Sequence, residues 1–136
     1  MTDQISFQIK ISLSYEEAIE KVTSALKEEG FGVLTSINVK DTLKEKIDID
    51  FRQYTILGAC NPPLAHQALS TNPLVGLMLP CNVTVEETDD GGSLVNFVNP
   101  KAMLLSFPDF AKDESLVDVA HQAYEKFERV AGTLGK

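Results

Sequence analysis

The chain has 136 residues, of which 43% are hydrophobic and 24% are charged, a composition typical of one globular domain rather than of a disordered or fibrous chain. Its formal net charge of −8 opposes attraction to phosphate backbones, which requires clustered lysine and arginine. No stretch approaches the roughly 18 apolar residues of a membrane span, and the N-terminus lacks a basic segment followed by an apolar one. We therefore expect one domain, residues 1–136, located in the cytoplasm, with no nucleic-acid or membrane partner.

The N-terminal pattern predicts a strand followed by a capped helix. Apolar and polar residues alternate over residues 5–11, which is typical of a strand with one buried face. Ser14 and Glu17 then have the spacing of a capping box. The apolar side chains that follow repeat at helical spacing until Gly30, a residue that favours a helix end.

The next segments are two strands separated by an ambiguous stretch. Residues 32–37 favour a strand, and residues 54–59 are rich in β-formers that predict another strand ending at Cys60. Between them, apolar residues recur every four positions over residues 39–47, which predicts a short amphipathic helix. The sequence IDIDF, residues 47–51, is equally typical of a strand, so both alternatives stand.

A third helix is expected directly after Cys60. Asn61 is a good N-cap, and Pro62 would occupy the first turn, where its missing N–H costs nothing. The helix should end before Asn72-Pro73. Four apolar side chains of this helix are expected to face inward. They are Leu64, Ala65, Ala68 and Leu69.

The C-terminal half predicts a hairpin and a long helix. Residues 77–87 and 93–98 flank the turn sequence TDDGG, which favours two neighbouring antiparallel strands. Pro80 cannot donate a ladder hydrogen bond, so the first of these strands must be an edge, begin late or bulge there. An apolar stripe about five turns long over residues 116–134 predicts a helix that packs on a sheet face.

The order of these elements indicates an α+β fold rather than a regularly alternating parallel sheet. Three segments carry a resemblance to a known family. They are GACNPPLAHQAL (58–69), NPLVGLMLPCNV (72–83) and INVKDTLKEKIDIDFRQYTILGACNP (37–62). In their order and spacing they resemble the domain of unknown function 302 family, over nearly the whole chain. The resemblance implies a TATA-binding-protein-like fold, with a curved antiparallel sheet packed against a long C-terminal helix and a tendency to form dimers. It supplies no reaction, because the family's activity is unassigned.

The two Cys-Asn pairs define the candidate ligand or thiol site. If the strand that ends at Cys60 lies beside the strand that begins near Met78, Cys60 and Cys81 would lie at neighbouring strand ends. We include the residues around them in the same candidate site. The full set is Cys60, Asn61, Pro62, His66, Pro80, Cys81 and Asn82.

Several interpretations of these residues remain open. The cysteines are either small buried side chains, as unpaired cysteines most often are, or a reactive thiol at a helix N-terminus with a partner. A permanent disulfide is disfavoured in a reducing compartment. Two cysteines with His66 match no established metal-site spacing, and we assign no metal. Asn61 and Asn82 are better explained as cap and turn residues.

The functional hypotheses follow from these residues and from one aperiodic segment. AMLLSFPDF, residues 102–110, is either a connection folded over the core or the lining of a ligand groove or dimer interface. The first hypothesis is a homodimeric module that binds a small ligand in an apolar groove, with Cys60 and Cys81 at its rim. The alternatives are a thiol-based redox enzyme or sensor, a Cys/His metal-binding protein, and a structural assembly subunit. No catalytic residue and no cofactor is indicated by the sequence.

Overall fold

The computed structural model describes residues 4–135. The strands are β1 (Ser6–Ile11), β2 (Gly32–Asn38), β3 (Tyr54–Cys60), β4 (Cys81–Glu87) and β5 (Ser93–Val98). The helices are α1 (Tyr15–Glu28), α2 (Val39–Ile47), α3 (Pro62–Thr71), α4 (Pro100–Leu105), α5 (Pro108–Ala111) and α6 (Glu114–Leu134). A 3-10 helix (Pro73–Met78) lies between α3 and β4. None of the helices within this range has the length and apolar character needed to cross a bilayer.

The five strands form one antiparallel sheet in the order β1-β5-β4-β3-β2. The predicted hairpin is present, because β4 and β5 pair directly across the TDDGG turn. β1 and β2 are the two edges of the sheet. The predicted α+β class, with an antiparallel sheet and a long C-terminal helix, is therefore confirmed.

The long helix α6 takes part in two hydrophobic clusters. Its C-terminal half, including Phe127 and Val130, packs with α1 and with the buried side chains of the strands. Its N-terminal half, including Leu116 and Ala120, packs with α3, α4, α5 and the 3-10 helix. The apolar stripe of α6 therefore joins the sheet layer to the helical segments that follow β3 and β5.

The cap signals of the sequence have their expected partners. The Ser14 hydroxyl accepts from the Glu17 N–H, the Glu17 carboxylate accepts from the Ser14 N–H, and α1 ends just before Gly30, which has a φ of 85°. For the ambiguous segment the helix is correct and the strand is wrong. Asn38 caps α2 by accepting from Asp41 N at 3.0 Å, and a local cap of this kind competes well with strand pairing.

Two expectations about side chains and segments need correction, and a third is supported. Residues 77–80 do not belong to a strand, because β4 begins after Pro80, which is the late start that a missing N–H favours. Leu69 is exposed rather than inward, since α3 packs mainly through Leu64 and Ala68. Residues 102–110 form most of α4 and α5, and Leu104 and Phe110 are buried in the second hydrophobic cluster, so this segment does fold over the core.

The β4–β5 turn carries a charged contact that should make stability depend on pH. Asp90 pairs with Lys10 of β1 and accepts from the Thr88 hydroxyl at 2.5 Å and the Gly92 N–H at 3.1 Å. These contacts, that with Lys10 first, hold the pKa of Asp90 well below its ordinary value. A lowered native pKa adds stability above the unfolded pKa of about 4, and that stability is lost as the pH falls through the native pKa.

We therefore expect Asp90→Asn to lower the urea midpoint at pH 7 and to have a smaller effect at pH 2. The neighbouring Asp89 makes no side-chain hydrogen bond or ion pair within residues 4–135, so Asp89→Asn is a matched control that should leave the midpoint unchanged. Urea unfolding of all three proteins between pH 2 and pH 7 measures the difference. Parallel pH curves for Asp90→Asn and the unsubstituted protein would contradict the assignment.

Candidate functional site

Cys60 and Cys81 lie at adjacent ends of neighbouring strands. In the antiparallel ladder Cys81 is opposite Ala59, and Cys60 is the next residue along β3. Cys60 is half-buried and Cys81 is buried, and both thiols are free. From the strand spacing and the rise per residue, their Cα atoms are separated by about 6 Å, so the two cysteines are neighbours in space.

Neighbouring Cα atoms do not make this pair suitable for a disulfide. Side chains alternate between the two faces of a strand, and Ala59 shares its face with Cys81. By this alternation alone the Cys60 side chain would leave the strand on the opposite face, although Cys60, the last residue of β3, also lines the cavity that Cys81 lines. A bridge requires Cβ atoms about 3.8 Å apart, which this register disfavours.

A small apolar cavity lies beside the two cysteines. Its volume is about 30 Å³, and a buried water needs roughly 10–15 Å³. Residues from the sheet, α3, α6 and the 3-10 helix line it, among them Cys60, Cys81, Leu64, Val75, Val119 and Ala123. The cavity has room for one or two waters but not for an organic ligand.

Burial makes Cys81 a poor nucleophile. Removal from water, and secondarily the negative charge of a Cys60 thiolate, raises the pKa of Cys81 to about 12. Only the thiolate attacks a disulfide or coordinates a metal ion. Cys81 is therefore poorly suited to act as the resolving partner of a redox pair, and a redox role would rest on Cys60 alone.

Asn61 has a structural role that explains its position. Its side chain is nearly buried, accepts from Leu64 N at 3.3 Å and donates to the carbonyl oxygen of Glu29 at 3.3 Å. Pro62 occupies the first turn of α3. Asn61 therefore caps α3 and ties it to the end of α1, as the cap interpretation predicted.

The remaining predicted site residues do not converge on one point. His66 is exposed on α3, and Asn82 is exposed within β4 opposite Gly58, so Asn82 is not the turn residue that was expected. Pro80 lies against Gly58, where an added Cβ would stand 2.7 Å from the Pro80 ring. Across residues 4–135, no group of three His, Cys, Asp or Glu side chains is arranged to hold a metal ion. The metal-binding alternative therefore has no support from this geometry.

A larger apolar groove lies on the surface between the 3-10 helix and α5. Its volume is about 300 Å³. Its lining residues come from two distant parts of the sequence and are Leu74, Leu77, Met78, Phe107, Pro108, Asp109 and Phe110. Leu77 is 82% exposed, Leu74 59% and Phe107 50%. We call this surface the apolar groove.

The family model for the domain of unknown function DUF302 matches residues 7–134. The chain belongs to the DUF302 family. The resemblance seen in the sequence is thus confirmed. A solved relative is the uncharacterized conserved protein DUF302 from Bacillus stearothermophilus, with 30% identity and a TM-score of 0.83. The match covers 97% of this chain and 99% of that one. No curated protein matches the sequence.

In this DUF302 domain, sequence reasoning identified one side of the apolar groove and missed the other. Phe107 and Phe110 lie in the aperiodic segment 102–110, which was a candidate groove lining. Leu74, Leu77 and Met78 were missed because part of their segment was assigned to a strand. A usable signal was present, since Asn72-Pro73 is a helix start, and Asn72 caps the 3-10 helix by accepting from Leu74 N at 3.0 Å.

Proposed function

We propose that this DUF302 domain is a binding module that takes the apolar part of a small molecule in the apolar groove. The observation that carries the proposal is the size and composition of this groove. Ligand pockets are typically 300–1,000 Å³, are lined by apolar and aromatic side chains, and contain a few polar groups that fix orientation. The apolar groove meets the lower bound of that size at about 300 Å³.

The exposure of the groove residues supports a ligand rather than a packing role. Among residues 4–135, Leu77 is the most exposed of the large apolar side chains, at 82%. Exposed apolar side chains that cluster in one concave surface mark binding sites more often than isolated ones do. The ligand therefore contributes apolar surface that covers Leu74, Leu77 and Phe107.

Charge narrows the chemistry of the ligand. Asp109 is the one charged residue among the groove lining, and the chain as a whole carries a formal charge of −8. Both features attract a cation and repel an anion. We therefore propose an amphiphile with an apolar body and a cationic or hydrogen-bond-donating end that lies beside Asp109.

Calorimetric titration with octylamine and octanoate tests this proposal, because their tails have equal length and their ends have opposite charge. We expect octylamine to bind saturably. Octanoate should bind more weakly than octylamine by a factor of roughly five or more, in line with the free energy of one exposed ion pair. Asp109→Asn should reduce this preference to the part that comes from the overall negative charge of the chain. Leu77→Lys should weaken octylamine binding roughly tenfold or more, because it places a cation in the apolar groove.

The matched control is Leu34→Lys, which changes an exposed leucine on β2 that is not part of the groove lining. Octylamine binding should be unchanged in that variant. If Leu77→Lys and Leu34→Lys bind octylamine equally well, the apolar groove is not the site. Equal affinity for octylamine and octanoate in the unsubstituted protein would refute the role of Asp109.

The proposal also includes a homodimer and a cytoplasmic location. A homodimer is supported by large apolar side chains that stay exposed outside the groove, such as Ile37 and Ile47. Cytoplasmic location is supported by the two free cysteines, which are typical of reducing compartments. Cys60 and Cys81 have no ligand role in this proposal, since the cavity beside them is too small for an organic molecule.

A further inference from the structure

The segment from β2 to the start of β3 contributes no buried residue to either hydrophobic cluster. No residue between Phe31 and Thr55 is buried, although this part of the chain contains β2 and α2. Every other strand and helix within residues 4–135 contains at least one buried residue. We call residues 32–50, which include β2 and α2, the β2–α2 unit.

An ordered helix with no buried side chain needs a source of stability. Isolated helices shorter than about 12–15 residues are marginal in water, and helices in proteins gain most of their stability by packing an apolar face. The helix α2 has nine residues and no buried side chain. Four large apolar side chains of the unit are exposed, and they are Leu34, Ile37, Ile47 and Ile49. These side chains are only partly covered within residues 4–135, since between 47% and 69% of the surface of each is exposed.

The strand β2 is also an open sheet edge. It pairs with β3 on one side only, so main-chain groups on its other side are available to another strand. Its sequence, GVLTSIN, has neither a charged residue nor a proline, two features that natural proteins use to block edge pairing. The register of β2 on β3 shifts between Val33 and Thr35, so the regular stretch available for pairing is residues 35–38. The opposite edge, β1, carries Lys10. Of the two edges, β2 is therefore the better suited to strand pairing.

We propose that the partner of the β2–α2 unit is a second copy of this chain, with the two β2 strands paired antiparallel about a two-fold axis. This inference rests on the homodimer of the proposed function and names its surface. An antiparallel pair of identical strands is self-complementary, as a two-fold interface requires. Leu34 and Ile37 would be covered at the strand pair, and Ile47 and Ile49 beside it.

The distribution of charge favours a second copy over a strongly charged partner. The whole chain has 12 basic and 20 acidic side chains, so two copies repel each other at most approaches. The β2–α2 unit has three lysines and four acidic residues. Within it, Lys44 pairs with Asp48 at 2.9 Å and with Asp50 at 3.4 Å. Electrostatic repulsion between two copies is therefore small at this surface, and the surface has no strong net charge that would attract a highly charged partner.

Sedimentation velocity between 1 and 100 µM, with Leu34→Lys and Ile47→Lys, tests this surface. We expect the unsubstituted protein to be a dimer at 100 µM and each variant to raise the dissociation constant roughly tenfold or more, because each copy would bring a cation into an apolar interface. Both side chains are exposed, so circular dichroism should show unchanged folding. Leu77→Lys is the matched control and should remain a dimer.

Amide hydrogen exchange provides a second readout on the same samples. Amides of β2 should exchange more slowly at 100 µM than at 1 µM, and those of β1 should not change with concentration. If both lysine variants dimerise as well as the unsubstituted protein, or if β2 exchange stays constant over concentrations at which sedimentation shows monomer converting to dimer, the surface is wrong while the homodimer stands. A monomer at 100 µM overturns the surface and the homodimer together. Octylamine binding in the apolar groove is measured separately and does not depend on either result.

Discussion

Replacing Phe127 with alanine should lower the free energy of unfolding by about 3–5 kcal/mol. Phe127 is fully buried on α6, and its ring centroid lies 4.7 Å from that of Phe31 and 5.5 Å from that of Phe97. Truncation would leave a cavity where α6 meets the sheet, because close-packed surroundings relax only partly. Such a loss is a large fraction of the roughly 5–15 kcal/mol by which domains are stable.

Urea unfolding followed by circular dichroism measures this loss. Phe107→Ala is the control, because Phe107 is half exposed in the apolar groove and pairs with the ring of Phe110, so its removal should cost about 1–1.5 kcal/mol. The packing of α6 on the sheet would be contradicted if Phe127→Ala and Phe107→Ala had similar midpoints.

Cys81 should resist alkylation in the native protein and react once the chain is unfolded. Burial raises its pKa from 9.0 to about 12, which lowers the thiolate fraction at pH 8 by about 10³ relative to an unfolded chain. Lack of access to the reagent should slow the reaction further. Iodoacetamide labelling at pH 8 with and without urea, read by mass spectrometry of the Cys81 peptide, gives the ratio of the two rates.

The variant Cys60→Ser isolates Cys81 from its neighbour. It should show almost no reactive thiol in the native state and one thiol after unfolding. Rapid native labelling of Cys81 in this variant would contradict its burial and would restore the redox hypothesis, in which Cys81 resolves a bond formed at Cys60. Slow labelling removes that mechanism, because a resolving cysteine must supply a thiolate.

Local signals allowed most of the fold to be predicted from the sequence. The capping box at Ser14 and Glu17, the Asn61 cap with Pro62, and the alternation in β1 each specify backbone geometry within a few residues. For residues 39–51, a helical and a strand periodicity both fitted the sequence, and the sequence alone did not decide between them. Local capping by Asn38 decided it in favour of α2.

The sites were harder to predict because they depend on contacts between distant segments. The nearness of Cys60 and Cys81 followed from strand order and could be expected. The faces on which their side chains lie depend on the register that pairs Ala59 with Cys81. The hydrophobic pattern alone does not determine which residues of two strands pair. The apolar groove joins the 3-10 helix to α5, which lie about 30 residues apart in the printed sequence, and no periodicity reports such a contact.

The central claim is that the apolar groove between the 3-10 helix and α5 binds an apolar group. Labelling the methionine methyl groups with ¹³C and titrating with octylamine tests it most directly. Met78 lines the groove, whereas Met103 packs against both hydrophobic clusters. The account predicts a saturable shift of the Met78 methyl signal with a much smaller change at Met103. A larger shift at Met103, or no saturable shift at Met78, would contradict it.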